Sequence, residues 1–411
     1  MGALIITGCS GKSITTPRSF SIPIPSSIST VVPSSTVPLV SSITEATPFP
    51  TTLPVLSPEY KIVAQKKLEK LHGRVSFSAS TIGKINGKDY LFVGINKTEG
   101  SIDSLPGILI FDIQNPLDPT EVSYLPASDA NNGIAGLALY NDLLYVSVWD
   151  HLWIVNVSVP SSPRSQSQVM DIQTDFISIS GKYLFINNNV STATGNIGVV
   201  DISNPTDPRV LGGVNLSPAY NLSHFKIYRS LLYTFAQNGY DRNISLHIVD
   251  ISTPGSLKEA GTFRFDGSNS NSSSIPSSNS PLNQPLPPMA SSSQYDIVFA
   301  GHYAYIATPA EGLWVMDMSY PVAPKKVAVF AKPEALGTFR SYRLYISDDL
   351  VYLISRSVTI IDVSNPINSK EVGSIPLPIN YYGLTKSSQY IYYFITYPPG
   401  IEVMDASISS E

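Results

Sequence analysis

The chain has 411 residues, of which 43% are hydrophobic and only 14% charged, with 33 prolines and 23 tyrosines. A globular protein is ordinarily about 25% charged, so the surface here is rich in hydroxyls rather than ions. Its 26 basic and 31 acidic residues give a net charge of -5 with no Lys/Arg cluster, so a phosphate-backbone binder is not expected and nucleic acid is not the anticipated partner.

The single cysteine, Cys9, cannot close an internal disulfide. Its neighbourhood, LIITGC at residues 4–9, resembles a bacterial lipobox, in which a Cys after small residues becomes lipid-modified. Only MGALI precedes the Ile6-Thr7-Gly8-Cys9 core of the box, less than the basic region and apolar stretch of about 7–15 residues that a full leader carries. Residues 1–9 are therefore expected to be a partial lipoprotein-type signal with Cys9 as the lipid attachment point. Residues 10–57 then interleave Pro with Ser and Thr, as in SIPIPSSISTVVPSSTVPLV at 21–40. Proline removes backbone donors and fixes φ, so a disordered stalk without a core of its own is predicted. No apolar run of about 20 residues occurs, so the membrane is expected to be reached through the lipid alone.

From residue 58 onward one pattern recurs. IFDIQNPLDP at 110–119 returns as IVNVSVPSSP at 154, VVDISNPTDP at 199, IVDISTPGSL at 248, VMDMSYPVAP at 315, IIDVSNPINS at 360 and a truncated VMDAS at 403. The anchor residues Asp112, Asn156, Asp201, Asp250, Asp317, Asp362 and Asp405 are spaced by 44, 45, 49, 67, 45 and 43 residues. A fixed period near 45 marks a repeat array. Ahead of each anchor lies an apolar run with an aromatic in one slot: Phe92, Tyr145, Phe185, Tyr233, Tyr305, Tyr352 and Tyr392. A shorter alternating run precedes that one, for example FKIYR at 225 or YDIVFA at 295, and a fourth follows the proline turn, for example RVLGGV at 209. β-Branched and aromatic runs bounded by Gly, Asn, Asp and Pro read as strands.

Four strands per unit, seven times over, predict an all-β chain: a seven-bladed β-propeller of four-stranded antiparallel blades. These residues also resemble the LVIVD repeat family of bacterial and archaeal surface proteins, whose name echoes the IVD, VVD and IID seen here, over about residues 75–407. Asn156 departs from that pattern in the second copy, as do Leu257 and Ser369, which replace the second Pro in the fourth and sixth. The resemblance implies a propeller displayed at a cell surface.

The seventh unit lacks a fourth strand, and KIVAQKKL at 61–68 has the alternation to supply it, which would close the ring and leave no edge unpaired. The seven anchors are expected to be structural, each accepting backbone N–H groups of its own turn. Residues 267–294, made of Ser, Asn and Pro, account for the long step and are expected to be a disordered insert between blades 4 and 5.

The five histidines show no metal-binding spacing, and no GxSxG, Walker, GxGxxG or EF-hand motif occurs, so neither a metal nor a cofactor is expected. In a propeller the loops joining strands two and three share a face with those joining successive blades. That face is expected to hold Trp149, Asp150, His151, Tyr220, His224, Tyr240, Arg242, Arg340, Tyr381 and Tyr382. Aromatics with a few charges suit contact with a protein or a glycan. The first expectation is thus a non-catalytic, lipid-anchored binding module. The alternative is a secreted hydrolase or lyase with Asp150 and His151 as acid and base.

Overall fold

The computed structural model describes residues 62–68, 75–97, 106–127, 133–148, 151–170, 172, 174–187, 196–216, 219–238, 244–265, 292–309, 311–330, 342–377, 381–396 and 398–406. The chain divides into two units, Met1–Val55 and Leu56–Glu411. Cys9 and the predicted stalk lie outside the described residues.

The second unit is a ring of seven four-stranded antiparallel meanders. Blade 1 is Val75–Ile85, Lys88–Lys97, Gly107–Asp112 and Thr120–Pro126, and blade 2 is Ile134–Tyr140, Leu143–Val148, His151–Asn156 and Arg164–Met170. Blade 3 is Ile177–Ser180, Tyr183–Asn187, Ile197–Asp201 and Arg209–Val214, and blade 4 is Ala219–Tyr228, Leu231–Asn238, Ile244–Asp250 and Lys258–Arg264. Blade 5 is Asp296–Ala300, Tyr303–Thr308, Gly312–Asp317 and Lys325–Phe330, and blade 6 is Arg343–Ser347, Leu350–Ile354, Ser357–Asp362 and Lys370–Pro376. Blade 7 takes three strands from the end of the chain, Tyr381–Ser387, Tyr390–Thr396 and Pro399–Asp405, and its outer strand, Ile62–Lys67, from the other end. Lys67 pairs with Gly400 and Ala64 with Val403, so the predicted closure is the one observed.

Each blade buries both faces, and one apolar cluster fills each interface between neighbours. Ile110, Leu144 and Trp153 join blades 1 and 2, for instance, while Leu68, Phe77, Leu91, Tyr392 and Val403 join blade 7 to blade 1. That last cluster closes the circle with side chains drawn from both ends of the unit, sheet packed on sheet as elsewhere in the ring.

The repeat is clearest in its pairing register. In every blade the aromatic slot of the second strand lies opposite the third-strand residue two before the anchor, as Phe92 opposite Ile110 and Tyr392 opposite Val403. A bulge follows at the same level of every outer strand, and the outer residue opposite that third-strand position is always small: Ser123, Ser167, Gly212, Gly261, Ala328, Gly373 and Ala64. The reason is the next blade. Its proline turn closes over this spot, so that Ser123 Oγ donates to the Pro160 carbonyl and Ser167 Oγ to the Pro205 carbonyl, both at 2.6 Å. A side chain at Gly261 would put its Cβ 2.1 Å from the Val322 carbonyl oxygen.

In blade 4 the aromatic slot reaches for the equivalent carbonyl. Tyr233 Oη donates to the Pro321 carbonyl at 3.1 Å. Tyr145 makes no such bond: its buried hydroxyl finds no partner among the described residues, and burial pushes it up to about 12. A buried hydroxyl without a partner costs about 1–3 kcal/mol, whereas a satisfied one contributes about 1 kcal/mol. Tyr145→Phe is therefore expected to hold or raise the melting temperature, and Tyr233→Phe to lower it. Calorimetric melts of the two variants check this, and a drop for Tyr145→Phe alone would be the wrong sign.

The anchors do what turn chemistry asks of them. The backbone N–H two residues on donates to Asp112, Asn156, Asp201, Asp250, Asp317 and Asp362 at 2.8–3.0 Å. In all seven units the next N–H after the anchor donates to the hairpin joining the first two strands, as Ile113 to the Asp89 carbonyl and Ala406 to the Gln389 carbonyl. Asn156 serves as well as an Asp because the turn needs an acceptor oxygen and not a charge. Bonds from the following Ser hold the carboxyls of Asp201, Asp250, Asp317 and Asp362 below the usual carboxylate value.

One boundary differs from expectation. Within the insert predicted over 267–294, Ser292–Gln294 form a 3-10 turn. Ser292 is buried because its hydroxyl donates to the Asn221 carbonyl and its own carbonyl accepts from Ser223 Oγ, so contacts with blade 4 override a disorder-prone composition. Residues 266–291 lie outside the described residues.

Candidate functional site

The inner strand of each blade lines the axis of the ring. A meander reverses direction at every strand, so connections between strands two and three and between successive blades emerge at one end, where each inner strand begins. At that end the axis widens into a cavity of about 340 Å³. Ser78 and Ser80 of blade 1, Ala135 to Leu137 of blade 2 and Asp175 to Ile177 beside blade 3 form one wall. His224 and Lys226 of blade 4, Asp296 of blade 5, and Arg343 and Tyr345 of blade 6 form the other. The first wall carries one charge, Asp175, and the second carries three, Lys226, Asp296 and Arg343.

The charged wall is built, not incidental. Asp296 is fully buried: Oδ1 accepts from Ile297 N, Oδ2 accepts from Leu344 N, each at 2.9 Å, and Lys226 Nζ stands 3.5 Å from Oδ1. The carboxylate therefore ties blades 4, 5 and 6 together at the axis, where a buried charge needs this many partners. Blade 4 bends to supply its share. Its inner strand carries two register shifts, after Tyr220 and after Ser223, with Asn221 at φ 47° and His224 at φ 27°. Bulges re-aim side chains, and left-handed backbone at a residue other than glycine is strain that surrounding contacts must hold in place. Those contacts are the Ser223 Oγ bond to the Ser292 carbonyl and the Thr234 Oγ1 bond to the Ser223 carbonyl.

His224 is held on the axis by Arg343 and Phe176. Arg343 Nη1 donates to His224 Nε2, and the Phe176 ring stands edge-on to the imidazole at 4.8 Å between centroids. A guanidinium cannot accept, so the imidazole is neutral with its proton on Nδ1. The ring sits deep in the protein, and the surface it keeps faces the cavity. Desolvation there, with Arg343 and Lys226 adding to it, holds His224 well below its ordinary value. The sign follows: the unfolded chain takes up a proton near pH 6.5 that the folded one refuses, so stability is lost as pH falls below about 6.5. The slope reaches up to about 1.4 kcal/mol per pH unit. Chemical denaturation between pH 7.5 and 5 should show that loss, and His224→Gln should flatten it.

Of the described residues among those singled out on the sequence, the cavity collects one, His224. Tyr220, Tyr381 and Tyr382 belong to inner strands of blades 4 and 7 rather than to loops. His151 is also no loop residue: it opens the third strand of blade 2, opposite Val148 and Met170, and is 4% exposed. Trp149, Asp150, Tyr240, Arg242 and Arg340 lie outside the described residues. Sequence reasoning missed Asp175, Lys226, Asp296 and Arg343. The available signal was a charge set in an otherwise apolar inner strand, as in FKIYR and YDIVFA.

A second polar cluster lies in blade 4, where Ser245 Oγ meets His247 Nε2 at 2.8 Å and His247 Nδ1 meets Glu259 Oε1 at 2.6 Å. Its order is that of nucleophile, base and acid. Thr262 Oγ1 donates to the same Glu259 oxygen, and Ser245 and His247 are both buried within the third strand. The cluster stitches the third strand to the outer one. Among the described residues no three His, Cys, Asp or Glu side chains are grouped to hold a metal ion.

Fold and repeat together define the class, a seven-bladed β-propeller with a polar axial cavity. The LVIVD repeat matches the chain five times, over residues 134–171, 173–215, 240–264, 293–330 and 342–376. These are blades 2 to 6; blades 1 and 7 carry the same anchor, aromatic slot and bulge without falling inside a match. No curated protein matches the chain in sequence. Among solved structures, BBS1N in complex with ARL6DN is similar with 8% identity, over 87% of this chain and 98% of that one, at a TM-score of 0.51. BamB from Moraxella catarrhalis has 8% identity over 80% and 85% of the two chains at 0.47, and the computationally designed Ika8 protein 11% over 83% and 100% at 0.47. The likeness to BBS1N is one of fold alone.

Proposed function

We propose that this chain is a non-catalytic binding module, anchored outside the cell by a lipid on Cys9, which receives part of a protein or glycan partner in its axial cavity. The observation that carries this reading is the cavity wall. Asp296 is fixed by two backbone hydrogen bonds, and His224 by the bulged strand and its bond from Arg343, before any ligand arrives, and a preorganised pocket spends little on ordering when it binds. The cavity lies toward the end of the ring where the inner strands begin. Glycan and peptide arrays probed with the full chain should return a ligand class that competes at this cavity, and uniform silence on both would end the proposal. Native protein should partition into detergent with Cys9 acylated, and Cys9→Ser should release it to the soluble fraction. An unmodified Cys9 would remove the anchor and leave the module.

A further inference from the structure

Taking that reading as its basis, we infer that the cavity recognises a carboxylate on a hydroxylated ligand of single-sugar size, that is, an acidic sugar of the uronate class. The starting point is Arg343. Both of its hydrogen bonds leave from Nη1, one to His224 Nε2 and one to the Tyr342 carbonyl at 3.1 Å. Both acceptors are neutral, and among the described residues no carboxylate pairs with the guanidinium. A partly buried cation held only by neutral acceptors is costly, and its Nε and Nη2 make no hydrogen bond among the described residues. A planar carboxylate matches such a fork, which a point charge such as Lys does not imitate.

Lys226 adds a second cation to the same wall. The carboxylate beside it, Asp296, already receives two backbone N–H bonds, so Lys226 is not wholly committed there; its side chain remains 35% exposed. Across the cavity stand Ser78 and Ser80 with Ala135, Gly136 and Asp175; the serines offer hydroxyl partners and room, and the Asp175 carboxylate is an acceptor suited to sugar hydroxyls. A volume of about 340 Å³ is near the lower end for a ligand pocket and admits one pyranose ring, not a folded peptide or a polymer chain. Anion on one side, hydroxyls on the other and the size of one ring specify a sugar acid.

Calorimetric titration of the full chain with D-glucuronate, D-glucose and acetate tests this. Glucuronate is expected to bind saturably, with glucose and acetate each weaker by about tenfold or more, since each lacks one half of the recognition. Arg343→Lys keeps the charge but loses the fork and should weaken glucuronate by about tenfold or more with the melting curve preserved. Should that variant fold poorly, the nitrogen chemical shifts of His224 in the unaltered chain report instead. They should move on adding glucuronate, because a carboxylate drawn to Arg343 perturbs its bond to the imidazole. Glucuronate that produces neither heat nor shift, while arrayed neutral glycans or peptides bind, overturns the carboxylate inference and leaves the binding module standing. An acidic peptide that binds where glucuronate does not overturns the sugar class. Silence from glucuronate and from every arrayed probe overturns both readings at once.

Discussion

Removal of residues 58–70 is expected to open the ring and to lower the melting temperature sharply, with aggregation on concentration. The segment includes Ile62–Lys67, which pairs along Pro399–Asp405, and Leu68, which is 3% exposed in the cluster joining blades 7 and 1. Loss of Leu68 burial alone amounts to about 2 kcal/mol. The larger consequence is the edge. Without its outer partner, Pro399–Asp405 presents a row of unpaired backbone groups beside a newly bared apolar face, and such edges pair with other copies. Differential scanning calorimetry and light scattering of the truncated and full chains measure both effects. A truncated chain that melts with the parent as a monomer would contradict closure by this strand.

Gly261→Ala is the second substitution with a large expected effect. Gly261 lies on the outer strand of blade 4, opposite Ile248 and just beyond the bulge. An added Cβ would fall 2.1 Å from the Val322 carbonyl oxygen and 3.1 Å from its carbon, which are backbone atoms of the next blade's turn. Neither can rotate away as a side chain would, so blades 4 and 5 must part. Overpacking of this kind costs about 1–3 kcal/mol, and Gly261→Val should exceed Ala. Gly255 supplies the control, since a Cβ there meets nothing within 4 Å; Gly255→Ala should leave the denaturation midpoint in place. Equal losses at the two positions would show that blade packing is not the cause.

Much of this architecture was legible in the residues. Seven anchors at a near-constant step, each preceded by an aromatic in one slot, imply seven copies of one unit, and a unit short of a strand at one end with a spare strand at the other implies closure. Even the anchors' role was legible, because an Asp that ends a strand beside Ser, Asn and Pro once per unit is turn chemistry, and Ser203 N does donate to Asp201 Oδ1. Such features are local: hydrogen bonds between residues two apart and alternation within a strand leave their mark on neighbouring letters.

The site was a matter for the tertiary structure. Lys226, Asp296 and Arg343 are separated by 70 and 47 residues, and each alone reads as an ordinary charge in a strand; only the ring brings their inner strands to one axis. His224 was picked out for its residue type, yet two bulges and a left-handed backbone place it at the cavity, and no propensity encodes that. His151, chosen for the same reason, is buried in a strand of blade 2 instead. The small residue after each bulge went unread as well, since Ser, Gly and Ala share no pattern until the neighbouring proline turn is seen to close on them. Local chemistry determined the repeat, its count and its closure. What gathers on the axis and between the blades was decided by contacts across tens of residues, where the physical requirement is set by the neighbour in space and not by the neighbour in the chain.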